Sequence, residues 1–254
     1  MASILQVHAS ADAIISTVTR GSVGSPALGG FIGLTGGPVD TANYQVWAFG
    51  STLAPDPDVR FEVRRNFHVF DLQNIAGTVT GAKIELFHPT GGAGATSFES
   101  FDPTETIGFF NVESTSADIF GLASDQTLLG TIFNDLGTGT SLGTMTSSAA
   151  NEGDFQSATL NAAALSEIQD AIDSGSEFLI GGALLTFNPD ATAIVPPNVS
   201  PIGSANERVF RGAGNGIQPA ARLVLNGVTA IPEPGSLSAL AMAASFVAIR
   251  RRRQ

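Results

Sequence analysis

Carboxylates beside prolines are the side chains in this sequence whose types and spacing could do chemistry. Asp102 and Glu105 lie on either side of a Pro-Thr pair, and Asp56 and Asp58 lie on either side of a proline. Two carboxylates across a cleft can hydrolyse a glycosidic bond, and carboxylate oxygens are ligands for Ca²⁺. Aspartate and proline are also frequent turn residues. We therefore predict a turn at each place, with a structural Ca²⁺ or a catalytic pair as the alternatives.

The three histidines, His8, His68 and His88, are not spaced as in a metal-binding motif. His68 follows Phe67, so on a strand the two side chains point to opposite faces. We predict a structural role for each histidine, with metal ligation as the alternative. The chain has no cysteine, which excludes disulfides and thiol chemistry.

Two aromatic side chains, Tyr44 and Trp47, are the candidates for stacking on a sugar ring. They are the only tyrosine and tryptophan, whereas the 17 phenylalanines are chiefly core material. Because Tyr44 and Trp47 are three residues apart, a strand would place them on opposite faces. We predict that Trp47 is in the core, and we keep both residues as candidates for carbohydrate binding.

The charge of the chain limits its partners. The sequence has 12 basic and 23 acidic residues, which gives a net charge of −11. A chain this acidic repels nucleic acid and anionic lipid. We therefore expect no nucleic-acid partner.

Short alternating runs, separated by glycine and proline, predict an all-β fold. In residues 59–63 apolar residues alternate with charged ones, as in a half-buried antiparallel strand. Residues 177–187 are apolar enough for a central strand, and we predict a short strand at 127–133 and a loop at 135–143. Strands at this spacing are typical of an antiparallel, jelly-roll-like β-sandwich, which we place at residues 13–230.

One helix interrupts the predicted strands. Asn161 is a good N-cap type. Leu165, Ile168 and Ile172 follow at helical spacing, and Gly175 is placed to end the helix. The sequence therefore predicts one short helix between residues 161 and 175.

The last 24 residues carry three features in a fixed order. A Pro-Glu-Pro triplet is followed by 13 apolar or small residues and then by four arginines; the residues are Pro232, Glu233, Pro234, the run from Leu237 to Ile249, and Arg250, Arg251, Arg252 and Arg253. A helix of this length spans about 20 Å, which is shorter than the ~30 Å hydrocarbon core. Arginine clusters stay on the cytoplasmic side of a membrane. We therefore predict a weak C-terminal membrane helix, oriented N-out and C-in.

This order of features resembles the PEP-CTERM sorting signal of exported bacterial proteins, a motif that is also labelled an ice-binding protein C-terminal domain. The resemblance covers residues 231–254 and implies export, recognition by an exosortase-type membrane protease, and delivery to the cell surface or the extracellular matrix. Exopolysaccharide is the matrix partner that it implies. An ordinary C-terminal membrane anchor is the alternative.

An exported protein needs a leader with a basic start and an apolar core. Residues 1–19 contain no lysine or arginine, but Ala9-Ser10-Ala11 resembles the small-residue end of a signal peptide. We predict that residues 1–20 are the remnant of a signal peptide that merges into the first strand. The alternative is a first strand alone.

Several segments of the body also resemble exported PEP-CTERM proteins and discoidin-like or carbohydrate-binding sandwiches; they are residues 65–72, 101–106, 133–137 and 178–182. This resemblance implies an adhesive or matrix unit and assigns no binding residue. We predict a non-enzymatic surface or matrix protein without a cofactor. A secreted carbohydrate-active enzyme or a carbohydrate-binding module is the alternative.

Overall fold

Twelve strands and three α-helices make up the part of the chain that the computed structural model describes. That part comprises residues 12–24, 34–35, 46–52, 59–90, 97–100, 102–122, 128–186, 206–210, 219 and 221–230. The strands are β1 (Ala13–Ser16), β2 (Thr19–Gly24), β3 (Leu34–Thr35), β4 (Val46–Thr52), β5 (Val59–Asp71), β6 (Ile75–Phe87), β7 (Glu105–Asn111), β8 (Ser141–Ser147), β9 (Phe155–Thr159), β10 (Glu177–Leu184), β11 (Asn206–Val209) and β12 (Arg222–Ala230). The helices are α1 (Ser116–Gly121), α2 (Leu129–Thr138) and α3 (Ala162–Ser174), with a short 3₁₀ turn at Ala149–Asn151.

The strands form two antiparallel sheets. The smaller sheet has the order β1-β12-β6-β9, and the larger one has the order β11-β4-β5-β10-β7-β8, with β2 and β3 added beside β5. One buried cluster takes apolar side chains from both sheets, among them Ile84 and Leu223 from the smaller and Phe70 and Ile107 from the larger. The prediction of a mainly antiparallel β protein is therefore confirmed.

Residues 66–70 of β5 are buried on both faces because helices cover the outer side of the larger sheet. Phe70 belongs to the core between the sheets, whereas Phe67 and Val69 belong to a second cluster together with apolar residues of α1 and α2. A strand covered on both sides can be apolar at successive positions. This arrangement explains why apolar residues occur at both odd and even positions of residues 67–72.

Helix α3 confirms the helix that the sequence predicts. The side chain of Asn161 accepts hydrogen bonds from the backbone N–H groups of Ala163 and Ala164, and Gly175 ends the helix with φ of 62°. A positive φ is the conformation that favours glycine at this position. The helix buries Ile168 and Ile172 and contacts strands of both sheets.

Two further helices correct the prediction of a single short helix. Residues 129–133, which we predicted to be strand, form the first part of α2, and the predicted loop at 135–143 contains the end of α2 and the start of β8. Helix α2 buries Leu129, Ile132, Phe133 and Leu136, which have the spacing of one helical face. The glycines and threonines of this segment have low helix propensity, so we infer that packing against the sheet decides its conformation.

Strand β10 is central, as predicted, with β5 on one side and β7 on the other. Two glycines in it permit close contacts on its two faces. A Cβ at Gly181 would lie 2.8 Å from the Cα of Leu136 in α2, and a Cβ at Gly182 would collide with the side-chain oxygen of Asn66. Helix α2 can therefore approach this strand only because residue 181 has no side chain.

Candidate functional site

Most of the residues that we singled out in the sequence lie outside the described part of the chain. They are His8, Tyr44, Asp56, Asp58 and the tail, with Pro232, Glu233, Pro234, the run from Leu237 to Ile249, and Arg250 to Arg253. Trp47 lies in β4, where its backbone pairs with Arg64 and Arg208, and its side chain is not described. No helix in the described ranges has both the length and the apolar composition needed to span a membrane.

Three carboxylates come together where β7 begins. Asp102 lies in the bend before β7, Glu105 is the first residue of β7, and Glu207 lies on β11. One oxygen atom of each lies within 4.8 Å of the others. We call this group the acidic triad. Two of its members are the pair that the sequence singled out, and the third comes from a strand far along the chain.

A short backbone ladder positions Glu207 beside the other two carboxylates. The N–H of Glu99 donates to the carbonyl of Arg208 at 3.0 Å, and the N–H of Arg208 donates to the carbonyl of Glu99 at 2.7 Å. The guanidinium of Arg208 also lies 3.5 Å from the carboxylate of Glu99. These bonds fix the segment before β7 against β11, so Glu207 is held next to residues 102–105.

Hydroxyl groups surround the buried member of the triad. Glu105 has no exposed surface, and its two carboxylate oxygens accept hydrogen bonds from the hydroxyls of Ser100 and Thr186. The N–H of Leu185 donates to the carbonyl of Thr106 at 2.8 Å, which brings Thr186 beside the start of β7. Glu105 is thus satisfied by neutral donors, and its charge is not paired with a cation among the described residues.

Glu207 is the member of the acidic triad whose pKa is shifted. Its Oε2 atom is shielded from solvent and has no hydrogen-bond partner among the described residues. Burial, followed by the charges of Glu105 and Asp102, raises the pKa of Glu207 to about 7. Burial and nearby like charges both disfavour an ionised carboxylate. A proton or a bound cation would relieve this repulsion.

The triad fits a hard cation. The oxygen atoms available as metal ligands belong to three carboxylates, and hydroxyl oxygens lie nearby. Ca²⁺ prefers an all-oxygen environment of this kind. The orphaned oxygen of Glu207 supplies a ligand that no hydrogen bond occupies. Asp102 is exposed, so an ion would have access from solvent.

Sequence reasoning missed Glu207, Ser100 and Thr186. The spacing of Asp102 and Glu105 is a local signal, but nothing local links these residues to Glu207 or Thr186. Only the pairing of β11 with the segment before β7, and of the end of β10 with β7, brings them together. These contacts depend on sheet topology.

The two described histidines are buried, and the structural role that we predicted for them stays a prediction. His68 is fully buried, and burial, followed by the charge of Arg20, lowers its pKa to about 3. The ring of His88 packs edge-on against Phe98 and Phe210, and its Nδ1 lies 3.2 Å from the amide nitrogen of Gln156. Neither histidine belongs to the acidic triad.

Comparison with known proteins adds no assignment to this site. No protein-family model matches the sequence, and no curated protein matches it at a significant level. The resemblance of the tail to a sorting signal therefore remains a prediction from residues 231–254.

Proposed function

We propose that this chain is a non-enzymatic exported protein that is sorted through its C-terminal tail and acts at the cell surface or in an exopolysaccharide matrix. The observation that carries the proposal is the order of Pro-Glu-Pro, an apolar run and four arginines in residues 231–254. A short apolar helix held by arginines inserts weakly, which suits a signal that is removed after use. An exosortase-type protease and the inner membrane are the partners that this role requires.

The position of the last strand supports the proposal. Strand β12 ends at Ala230, directly before the tail, and is hydrogen-bonded on both sides, to β1 and to β6. Its buried residues include Leu223, Leu225 and Val228. Cleavage at the Pro-Glu-Pro triplet would therefore leave the pairing of β12 with β1 and β6 in place. The leader at residues 1–20 and the jelly-roll-like connectivity remain parts of the proposal.

A structural Ca²⁺ at the acidic triad is a second proposal. The orphaned, shielded oxygen of Glu207 beside Asp102 and Glu105 favours it. When bound, the ion would supply positive charge that ties the bend before β7 to β11. Asp102, Glu105 and Glu207 would hold it.

Carbohydrate hydrolysis at the triad is the weaker alternative. Glu105 is fully buried and both of its oxygens accept hydrogen bonds from hydroxyls, so its carboxylate does not face a space that a sugar could enter. Carbohydrate binding through Tyr44 and Trp47 is the other alternative. Loss of glycan binding by a folded Trp47→Ala variant would favour it.

Mass spectrometry of the protein recovered from a producing culture tests the sorting proposal. We expect the membrane fraction to contain the tail and the surface or medium fraction to end near residue 231. Replacing Pro232 and Pro234 with alanine should leave the intact chain in the membrane, because a protease that reads the triplet would no longer recognise it.

The chain offers a matched control. Pro55-Asp56-Pro57 is a second proline–acid–proline triplet, but neither an apolar run nor an arginine cluster follows it. Replacing Pro55 and Pro57 with alanine should therefore leave sorting unchanged. Recovery of the full chain, still ending at Gln254, from the surface fraction would contradict the proposal.

A further inference from the structure

A groove of about 470 Å³ lies between α3, the start of α1 and the beginning of β10. Some of its lining residues are apolar, among them Val112, Phe178 and Leu179, and the others are mostly polar; we call the apolar lining the floor and the polar lining the walls. None of the described residues that line the groove belongs to the acidic triad. The inference drawn from it therefore goes beyond the proposed function and does not depend on cleavage of the tail.

Three carboxylates line this groove. Glu167 and Asp170 are three residues apart on α3, so they share one face of the helix. Glu177 lies at the start of β10, and its Oε2 accepts a hydrogen bond from the hydroxyl of Ser116 at 2.7 Å. No lysine or arginine is among the described residues that line the groove.

The described residues that line the groove supply no positive charge to these carboxylates. Burial, followed by the charge of Asp170, raises the pKa of Glu167. Two like charges on one helical face repel each other, and a cation placed between them would remove that repulsion. The groove thus has the electrostatic character of a site for a positively charged group.

The three carboxylates of the groove are spread apart, which favours an organic cation over a metal ion as their ligand. The three groove carboxylates do not form a group whose oxygen atoms all lie within 4.8 Å, whereas the acidic triad does. A metal ion needs its ligands to converge at about 2.3–2.6 Å. An extended ligand with separated charges can meet separated carboxylates.

Hydroxyl groups complete the walls. Those lining the groove belong to Ser114, Thr115, Ser116, Ser174 and Ser176. The hydroxyl of Ser174 already donates to the carbonyl of Asp170 at 2.7 Å and lies 2.9 Å from that of Ser176. Each hydroxyl can both donate and accept, so this wall is suited to a ligand that itself carries hydroxyls.

We propose that the groove binds an oligosaccharide that carries free amino groups. The ammonium groups would pair with Glu167 and Asp170, and the sugar hydroxyls would exchange hydrogen bonds with the serine-rich wall. The apolar floor would face the carbon-bound hydrogens of the sugar ring.

Isothermal titration calorimetry on the full chain, in a nonionic detergent at pH 6 and low salt, tests the proposal. The probes are a glucosamine tetramer, the N-acetylated tetramer and spermidine. We expect the glucosamine tetramer to bind and the other two to bind at least fivefold more weakly, since the acetylated sugar lacks the charge and spermidine lacks the hydroxyls.

Variants that neutralise single carboxylates test whether the glucosamine tetramer binds in the groove. Glu167→Gln and Asp170→Asn should each weaken binding of the glucosamine tetramer by about fivefold, the upper range for an exposed ion pair. Asp173→Asn is the matched control, because Asp173 is exposed on the same helix, is hydrogen-bonded by Gln169 and does not line the groove. It should change affinity by less than twofold.

Three results would overturn the proposal. If the N-acetylated tetramer binds as tightly as the free amine, the carboxylates do not recognise the ligand. If spermidine binds as tightly, the site recognises charge without a sugar. If Asp173→Asn weakens binding as much as Asp170→Asn does, the attraction comes from the net charge of the whole protein.

Discussion

Removing the charge of Glu207 should change the stability of the protein in opposite directions with and without Ca²⁺. The variant Glu207→Gln keeps the size of the side chain and cannot ionise. Without a cation, the wild type must keep a carboxylate beside Asp102 and Glu105 either protonated or charged at a cost. With Ca²⁺, the same carboxylate becomes a ligand.

The magnitude without Ca²⁺ follows from the pKa of Glu207. It rises from its ordinary value of 4.5 to about 7 in the folded protein, and each pKa unit is worth about 1.36 kcal/mol. The full difference would be ~3 kcal/mol. Because the side chain is only partly buried, solvent screens part of it, and we expect Glu207→Gln to stabilise the cation-free protein at pH 8 by ~1–2 kcal/mol.

The effect should depend on pH with a definite sign. Below pH 4.5 Glu207 is protonated in both the folded and the unfolded states, so the wild type and the variant differ little. Between pH 4.5 and about 7 the unfolded state ionises first, and the stability of the wild type falls as the pH rises. Above about pH 7 the destabilisation is complete.

Urea unfolding of both proteins, in EDTA and in Ca²⁺ at pH 5 and pH 8, measures these differences. At a Ca²⁺ concentration about 100-fold above the dissociation constant, the wild type should gain ~3 kcal/mol, and the variant should gain much less. Glu113→Gln is the control, because Glu113 is exposed and is not a member of the triad. It should leave both the pH dependence and the Ca²⁺ response unchanged.

Two outcomes would refute the reasoning. If Glu207→Gln is no more stable than the wild type at pH 8 in EDTA, the carboxylate is not under strain in the folded protein. If millimolar Ca²⁺ stabilises the wild type and the variant equally, the triad does not hold the ion.

Three further predictions concern the fold and are checked by urea unfolding. Gly181→Ala should destabilise the protein by about 2 kcal/mol or more, because its Cβ would strike the backbone of Leu136. The control Gly130→Ala should be neutral or stabilising, because there is open space around Gly130. Equal effects of the two variants would contradict the packing of α2. Asn161→Ala should cost about 1 kcal/mol through the lost helix cap. Burial lowers the pKa of His88 to about 4, so stability should fall as the pH drops from 6.5 towards 4. His88→Gln should make that part of the profile less steep, and the contribution of His68 should remain.

Local signals in the sequence sufficed where one segment contains all the information. Helix α3 has its cap at Asn161, its apolar face at Ile168 and Ile172, and its stop at Gly175, all within 15 residues. The alternation of residues 59–63 and the apolar run at 177–187 likewise predict strands where β5 and β10 are found.

Helix α2 shows why propensity alone was misleading. Its sequence has two glycines and two threonines, and its N-cap residue, Leu128, makes no side-chain capping bond. The spacing of Leu129, Ile132, Phe133 and Leu136 is a helical signal, but our prediction divided these residues between a short strand and a loop. The helix packs on β10, where Gly181 leaves room for it.

The acidic triad shows a different limit. Asp102 and Glu105 are recognisable as a pair from their spacing, but whether a third carboxylate joins them depends on which strand lies beside them. Glu207 reaches them through pairing between distant segments, and a single sequence does not encode that pairing in any local pattern.

The pairing of β1 with β12 has a consequence for the order of events during synthesis. The first and last described strands are neighbours in the smaller sheet, with Ala13 opposite Leu225 and Ser16 opposite Arg222. The ribosome must release residue 230 before this sheet can be completed, and contacts so distant in sequence form slowly. The smaller sheet therefore stays incomplete until almost the whole described chain has been made, so its closure is a late step of folding.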